Sequence, residues 1–110
     1  MLPKTHRFTA RKEIRQVFHH GFRKQSYSFV LVSWQPTERL NLPWRATIIV
    51  SKKVAPLATS RNAIRRKISE VIWQQKDLFK NGTDVVILAQ KQSSRSSQQK
   101  FQQEFQALIS

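Results

Sequence analysis

Apolar residues recur along this chain in two rhythms. Ala10, Ile14, Val17 and Phe18 stand at helical spacing, while Arg11, Lys12, Arg15 and His19 fall elsewhere on the same turn pattern. A period near 3.6 residues predicts a first helix with one apolar side. Thr9 is its expected N-cap, and Gly21, just past His20, is expected to end it in a left-handed conformation. Ser26 to Trp34 (SYSFVLVSW) is β-branched and aromatic and predicts a strand: Tyr27, Phe29 and Leu31 share one face, Val30, Val32 and Trp34 the other. Gln35 to Pro43 is a loop. Trp44 to Ser51 is a second main strand, expected to pair with the first as an antiparallel hairpin.

A loop with Pro56 leads into a central helix over 61–76, with Ser60 as N-cap. Wound at roughly 100° per residue, it places Ile64, Ile68, Val71 and Gln75 on one side, with Ile72 beside them. Asn62, Arg65, Arg66, Ser69 and Trp73 take the other side, which should face solvent. Asn81-Gly82 marks a turn, and Asp84 to Gln90 (DVVILAQ) is a strand apolar on both faces, as an interior position requires. Ser96 and Gln99 suggest a capping box, and Phe101, Phe105 and Leu108 form the stripe of a last helix. The order helix, strands, helix, strand, helix predicts an α/β sandwich on a mixed sheet. With 110 residues, one domain spans 1–110, and residues 1–8 are expected to be a flexible basic lead-in.

Charge changes this picture most. Twenty Lys and Arg oppose six Asp and Glu, a net +14, and a polyanion would relieve that self-repulsion. RNA or DNA is the first candidate, since phosphates bind dense basic surfaces with release of counterions. Between Val50 and Ile72 stand Lys52, Lys53, Arg61, Arg65, Arg66 and Lys67, against the single acid Glu70. An anion could meet Arg61, Lys52, Lys53 and the free N–H groups of the helix start together. Trp73, on the polar face, either packs against Trp44 or the last helix, or stacks on RNA.

Catalysis by the chain itself has little support. The acids are scattered, without a DxD or ExxH pair to hold magnesium or zinc, so no protein metal site or cofactor is expected. His6, His19 and His20 could serve as a base or as phosphate contacts. Gly21 and Gly82 are the only glycines, so no glycine-rich phosphate loop exists, and the absence of cysteine removes disulfides and thiolate chemistry. No apolar run is long enough to cross a membrane, and the first residues lack the apolar core of a signal peptide, so a cytoplasmic location is expected.

The stretch VSKKV…SRNAIRRKISE resembles the signature of the bacterial ribonuclease P protein component. In that signature a V-[SA]-K-K strand end precedes an R-N-R segment with further basic residues. RF-x5-I-x2-VF-x2-G (Arg7 to Gly21), SFVLV (Ser28 to Val32) and DVVILAQK (Asp84 to Lys91) are similar to other parts of the family, so the likeness covers nearly the whole chain. Arg61 and Asn62 match the first two positions of the basic motif, Arg65 its lysine and Arg66 the arginine after it; Lys52 and Lys53 match the paired lysines. Ala63 and Ser69 stand where the family has arginines, and Lys67 where it usually has an apolar residue, so the chain reads as a divergent member.

The resemblance implies a two-layer α+β sandwich in the order αβββαβα, a mixed sheet of about four strands with a left-handed βαβ crossover, and the fold of ribosomal protein S5 domain 2. It implies an accessory subunit of an endoribonuclease that removes the 5′ leader of precursor tRNA. The catalytic groups and the Mg2+ ions would belong to the partner, ribonuclease P RNA, in a 1:1 complex with a monomer of the protein. The RNA-binding set would be Lys52, Lys53, Arg61, Asn62, Arg65, Arg66 and Lys67. The leader-binding cleft would be Arg11, Ile14, Phe18, Val30 and Val32, with Ile14 in place of a family aromatic. Two rivals are a non-catalytic RNA-binding module of ribosomal-protein type and a self-sufficient small nuclease.

Overall fold

The computed structural model describes residues 2–109. In chain order the elements are α1 (Arg11–His20), β1 (Phe22–Gln25), β2 (Phe29–Trp34), β3 (Arg45–Ile49), α2 (Ala58–Gln74), β4 (Asp84–Ala89) and α3 (Gln98–Ile109). The strands form one mixed sheet in the order β1-β2-β4-β3.

That order corrects the expected hairpin between the two main strands. β2 pairs antiparallel with β1 on one side and with β4 on the other, while β3 pairs only with β4, in parallel. Burial explains the arrangement. Val85, Val86 and Ile87 are fully buried, so β4 takes the interior place, whereas four of the five β3 residues are only half-buried and suit an edge. A strand followed by a helix returns to the sheet in the same direction, hence the parallel pair.

The two faces are covered unequally. Phe29 and Leu31 of β2, Ala46 of β3, and Val85 and Ile87 of β4 lie under α2 and α3, packed against Ile64, Ile68, Ile72, Phe101 and Phe105. The opposite face carries Val30, Val32, Trp34, Val86, Leu88 and Ile49, and α1 is the one helix that packs on it, through Ile14, Val17 and Phe18, with Phe8 of the N-terminal segment beside it. One helix cannot cover four strands, so several of these apolar groups stay half-exposed.

Local chemistry differs from expectation at several points. β1 carries no apolar alternation because all four of its residues are exposed; the strand expected from Ser26 starts only at Phe29. α1 begins after Ala10, which makes no side-chain cap, so Thr9 is not the cap. Gly21 has φ −81°, an ordinary extended conformation. Its reason is space: a Cβ there would stand 2.5 Å from the Val17 carbonyl oxygen and 2.9 Å from that of Ser33. Gly82 does adopt the left-handed region, φ +80°, in the expected turn. α2 starts at Ala58, one turn before the predicted start, so Ser60 lies inside the helix rather than capping it. Ser97, not Ser96, caps α3: its Oγ accepts the Lys100 N–H at 3.1 Å.

Residues 2–8, expected as a flexible lead-in, pack on the sheet. Leu2 and Phe8 are buried, Arg7 bridges to Ala46 on the free edge of β3, and His6 Nδ1–H donates to the Trp44 carbonyl at 2.8 Å.

Candidate nucleic-acid interface

α2 turns its apolar stripe inward and leaves its basic groups outside. Arg66 and Lys67 are exposed, and Arg65 is half-buried, its guanidinium donating to Asn62 Oδ1 at 2.6 Å. That bond holds an arginine and an amide as one unit on the outer face. Ser69, expected beside them in solvent, is only 6% exposed, because it faces the space between α2 and β3. Trp73 is a packing residue: its ring lies 6.5 Å from that of Trp44 and 5.6 Å from that of His6, with Lys76 Nζ 4.4 Å above it.

Arg61 serves another purpose than the expected open anion site. Its Nη1 donates to the carbonyls of Ala55 and Pro56, at 3.0 and 2.8 Å, and its backbone N–H bonds Leu57. It therefore ties the entry loop to the first turn of α2. Lys52 and Lys53 are exposed in the turn that this brace supports. Lys53 also shares a cleft with Lys91 and Arg95, two basic groups outside the expected RNA-binding set.

Three of the six acids, by contrast, are drawn inward or paired, while Glu38, Glu70 and Asp77 are exposed. Asp84, 2% exposed, receives a forked pair from Arg45, Nε to Oδ1 at 3.0 Å and Nη2 to Oδ2 at 2.7 Å, with Arg39 Nε 3.4 Å away. Arg45 also reaches Glu13 Oε2 at 2.9 Å and lies over the Phe8 ring. The hydrogen bond to Asp84 raises the Arg45 pKa despite the opposing effect of burial. Glu104 accepts the Ser28 N–H at 2.6 Å and the Ser28 hydroxyl. Burial pushes its pKa up, but the two Ser28 bonds, together with Ser26 and the Lys100 charge, outweigh it, and the carboxyl stays below its usual range. Ser96 completes this group through its own bond to Ser28. No group of three or more His, Cys, Asp or Glu gathers among the described residues.

The second feature is the half-covered sheet face. Ile14 and Phe18 of α1 and Val30 of β2 are half-buried there and Arg11 is exposed, while Val32, 1% exposed, lies beneath them as floor. Ile49, Leu88 and Trp34 extend the same apolar surface, and none of them stood out in the sequence as a site residue. Register adds Arg23 and Gln25, which pair with Val32 and Val30 and so share their face. The signal for them was hidden because β1 itself was not legible. His20 stacks on Trp34, rings 4.7 Å apart and 26° from parallel, and His19 meets His20 edge-on at 4.7 Å.

A basic helix face and a half-open apolar cleft flanked by arginine suit phosphates and unstacked bases respectively. The comparisons with known proteins point the same way. A family model described as Ribonuclease P matches residues 2–110. A ribonuclease P protein component of Bacillus cereus is 33% identical over 90 residues, 82% of this chain and 76% of the relative. One of Syntrophus aciditrophicus is 34% identical over 93 residues, 84% and 75% of the two chains. Among solved structures, the fold is similar to the RNase P proteins of Staphylococcus aureus and Thermotoga maritima. The first has a TM-score of 0.83 at 22% identity, covering 96% of this chain and 94% of that one. The second has a TM-score of 0.79 at 23% identity, covering 94% of each.

Proposed function

The chain belongs to the ribonuclease P protein component family, whose members are parts of an endoribonuclease ribonucleoprotein, and from that premise we propose how its two surfaces divide the work. α2 and the turn before it lie against the catalytic RNA, with Lys52, Lys53, Asn62, Arg65, Arg66 and Lys67 meeting phosphates and Arg61 holding the loop that presents the lysines. The cleft of Arg11, Ile14, Phe18 and Val30, floored by Val32, takes the single-stranded 5′ leader of precursor tRNA. One protein binds one RNA, in the cytoplasm. Magnesium ions held by the RNA carry out the cleavage, and the protein supplies no catalytic group.

The observation that carries this reading is the segregation of charge. Asp84, Glu13 and Glu104 are bonded to groups of the protein itself, while the outer side of α2 sets Arg65, Arg66 and Lys67 against the single acid Glu70, which accepts a bond from Gln98. A surface of that kind lowers repulsion between two RNAs brought side by side and reduces the magnesium needed to hold them. Contacts made by stacking and to backbone are tolerant of sequence, as a subunit serving many precursors requires.

The test is cleavage of precursor tRNA at low magnesium by a bacterial ribonuclease P RNA, with and without the protein. The expected result is an inert protein that restores cleavage by the RNA. No gain across a range of magnesium and salt refutes the assignment.

A further inference from the structure

Between α2, the free edge of β3 and residues 2–9 lies a cavity of about 450 Å3. Its apolar lining comes from Leu2, Phe8, Ala46 and Ile48, and its polar lining from Asn62, Arg65, Arg66 and Ser69. The volume falls within the range of small-molecule sites, roughly 300–1,000 Å3. Two features set it apart from an incidental gap. The N-terminal segment bridges β3 at Arg7 and Ala46 and then leaves the strand, so the edge at Thr47 and Ile48 backs the cavity instead of pairing. In addition, no described lining residue is acidic, and the Arg65–Asn62 pair stands at its side.

We infer that this cavity binds a single nucleotide, its base against the apolar wall and strand edge and its phosphate on Arg65 and Arg66. The inference rests on the proposed RNA-binding role of α2 and extends it. In a complex with RNA the occupant is one nucleotide turned out of a helix, which fits a planar, hydrogen-bonding group with an attached anion. Strand-edge N–H and C=O groups together with the Asn62 amide offer both donors and acceptors to a base edge. The apolar wall receives its face, and the two guanidiniums bind its phosphate.

The test compares two hairpin RNAs, one fully paired and one with a single bulged adenosine, by fluorescence anisotropy at fixed salt. The bulged RNA is expected to bind about tenfold more tightly, a modest share of what burying one base is worth. Ser69→Leu, which fills the cavity from α2, should abolish the preference and leave binding of the paired hairpin intact. Ile48→Trp fills it from β3 and serves the same purpose should the leucine disturb α2, with far-ultraviolet circular dichroism as the check on folding. Titration with AMP, followed at the amide resonances of Thr47, Ile48 and Ser69, separates the two sources of nucleotide. Saturable shifts without a bulge preference overturn the RNA-borne occupant in favour of a free mononucleotide. Equal affinities with no AMP shifts, or a preference that survives both filled variants, overturn the site. The low-magnesium cleavage assay reports on the parent reading independently, so loss of one does not mimic loss of the other.

Discussion

Replacing Arg65 and Arg66 together by alanine probes the basic face without touching the core. Neither guanidinium joins the ion pairs around Asp84, and Arg65 is bonded within its own helix, to Asn62. The double variant should therefore melt close to the parent. Its RNA affinity should fall, and so should the dependence of that affinity on salt. Each lost phosphate contact removes about 0.9 from the slope of log K against log salt on a duplex and about 0.7 on a single strand. Two contacts thus remove about 1.4–1.8, and the gap between parent and variant widens about seven- to twelvefold from 200 to 50 mM salt. Fluorescence anisotropy with labelled ribonuclease P RNA over that range reads both numbers. Arg61→Ala is the contrast. It cuts two bonds to the Ala55 and Pro56 carbonyls, so it should lower stability by about 1–2 kcal/mol as well as weaken binding. An unchanged slope in the double variant, or a large drop in its Tm, refutes the assignment of these arginines to phosphate.

Asp84→Ala leaves Arg45 and Arg39 facing an empty acceptor in a buried place; with Glu13 still available to Arg45, a loss of about 3 kcal/mol is expected in urea denaturation. The Glu104 pKa is depressed in the fold, so the stability it adds is present above the ordinary glutamate value of about 4.3 and is lost as pH falls through the folded value. Glu104→Gln should lower Tm at neutral pH, where that stability is present, and flatten the fall in Tm on the acidic side, so that parent and variant converge there. Phe18→Ala should weaken precursor tRNA relative to mature tRNA in the assembled enzyme, by about 1–3 kcal/mol if one base stacks there, and equal losses for both RNAs would remove Phe18 from the leader path.

What was legible in the sequence follows from where side-chain pattern is set by burial. DVVILA declares itself because both faces of β4 are buried, and Phe101 and Phe105 mark α3 because they fill one core. β1 was illegible for the opposite reason: exposed on every residue, it is held by its register with β2 rather than by any apolar rhythm. Strand order is a property of the whole sheet, and local pattern favoured a hairpin between neighbours that β4 in fact separates. The basic residues of α2 could be named from spacing, but their division of labour could not. Only geometry shows that Arg61 braces a loop, that Ser69 turns inward, and that Val32 lies under the cleft rather than lining its mouth. The α3 cap moved by one residue because Ser96 found buried partners in Ser28 and Gln92, leaving Ser97 to bond the helix end.

The central place of β4 has a consequence for how the protein comes into being. As the chain leaves the ribosome, β1 and β2 can pair early, but β3 has only the bridge at Ala46 to lean on until residues 84–89 arrive. Until then the inner side of α2, with Ile64, Ile68, Val71 and Ile72, has no complete sheet beneath it. The positive groups are synthesised long before the surface that arrays them. Non-local pairings of this kind delay the folding step and bind it to nearly the whole length of the chain. A fragment ending before Asp84 would carry most of the charge and none of the arrangement, so a truncated product could cling to RNA but could not take its place in the enzyme.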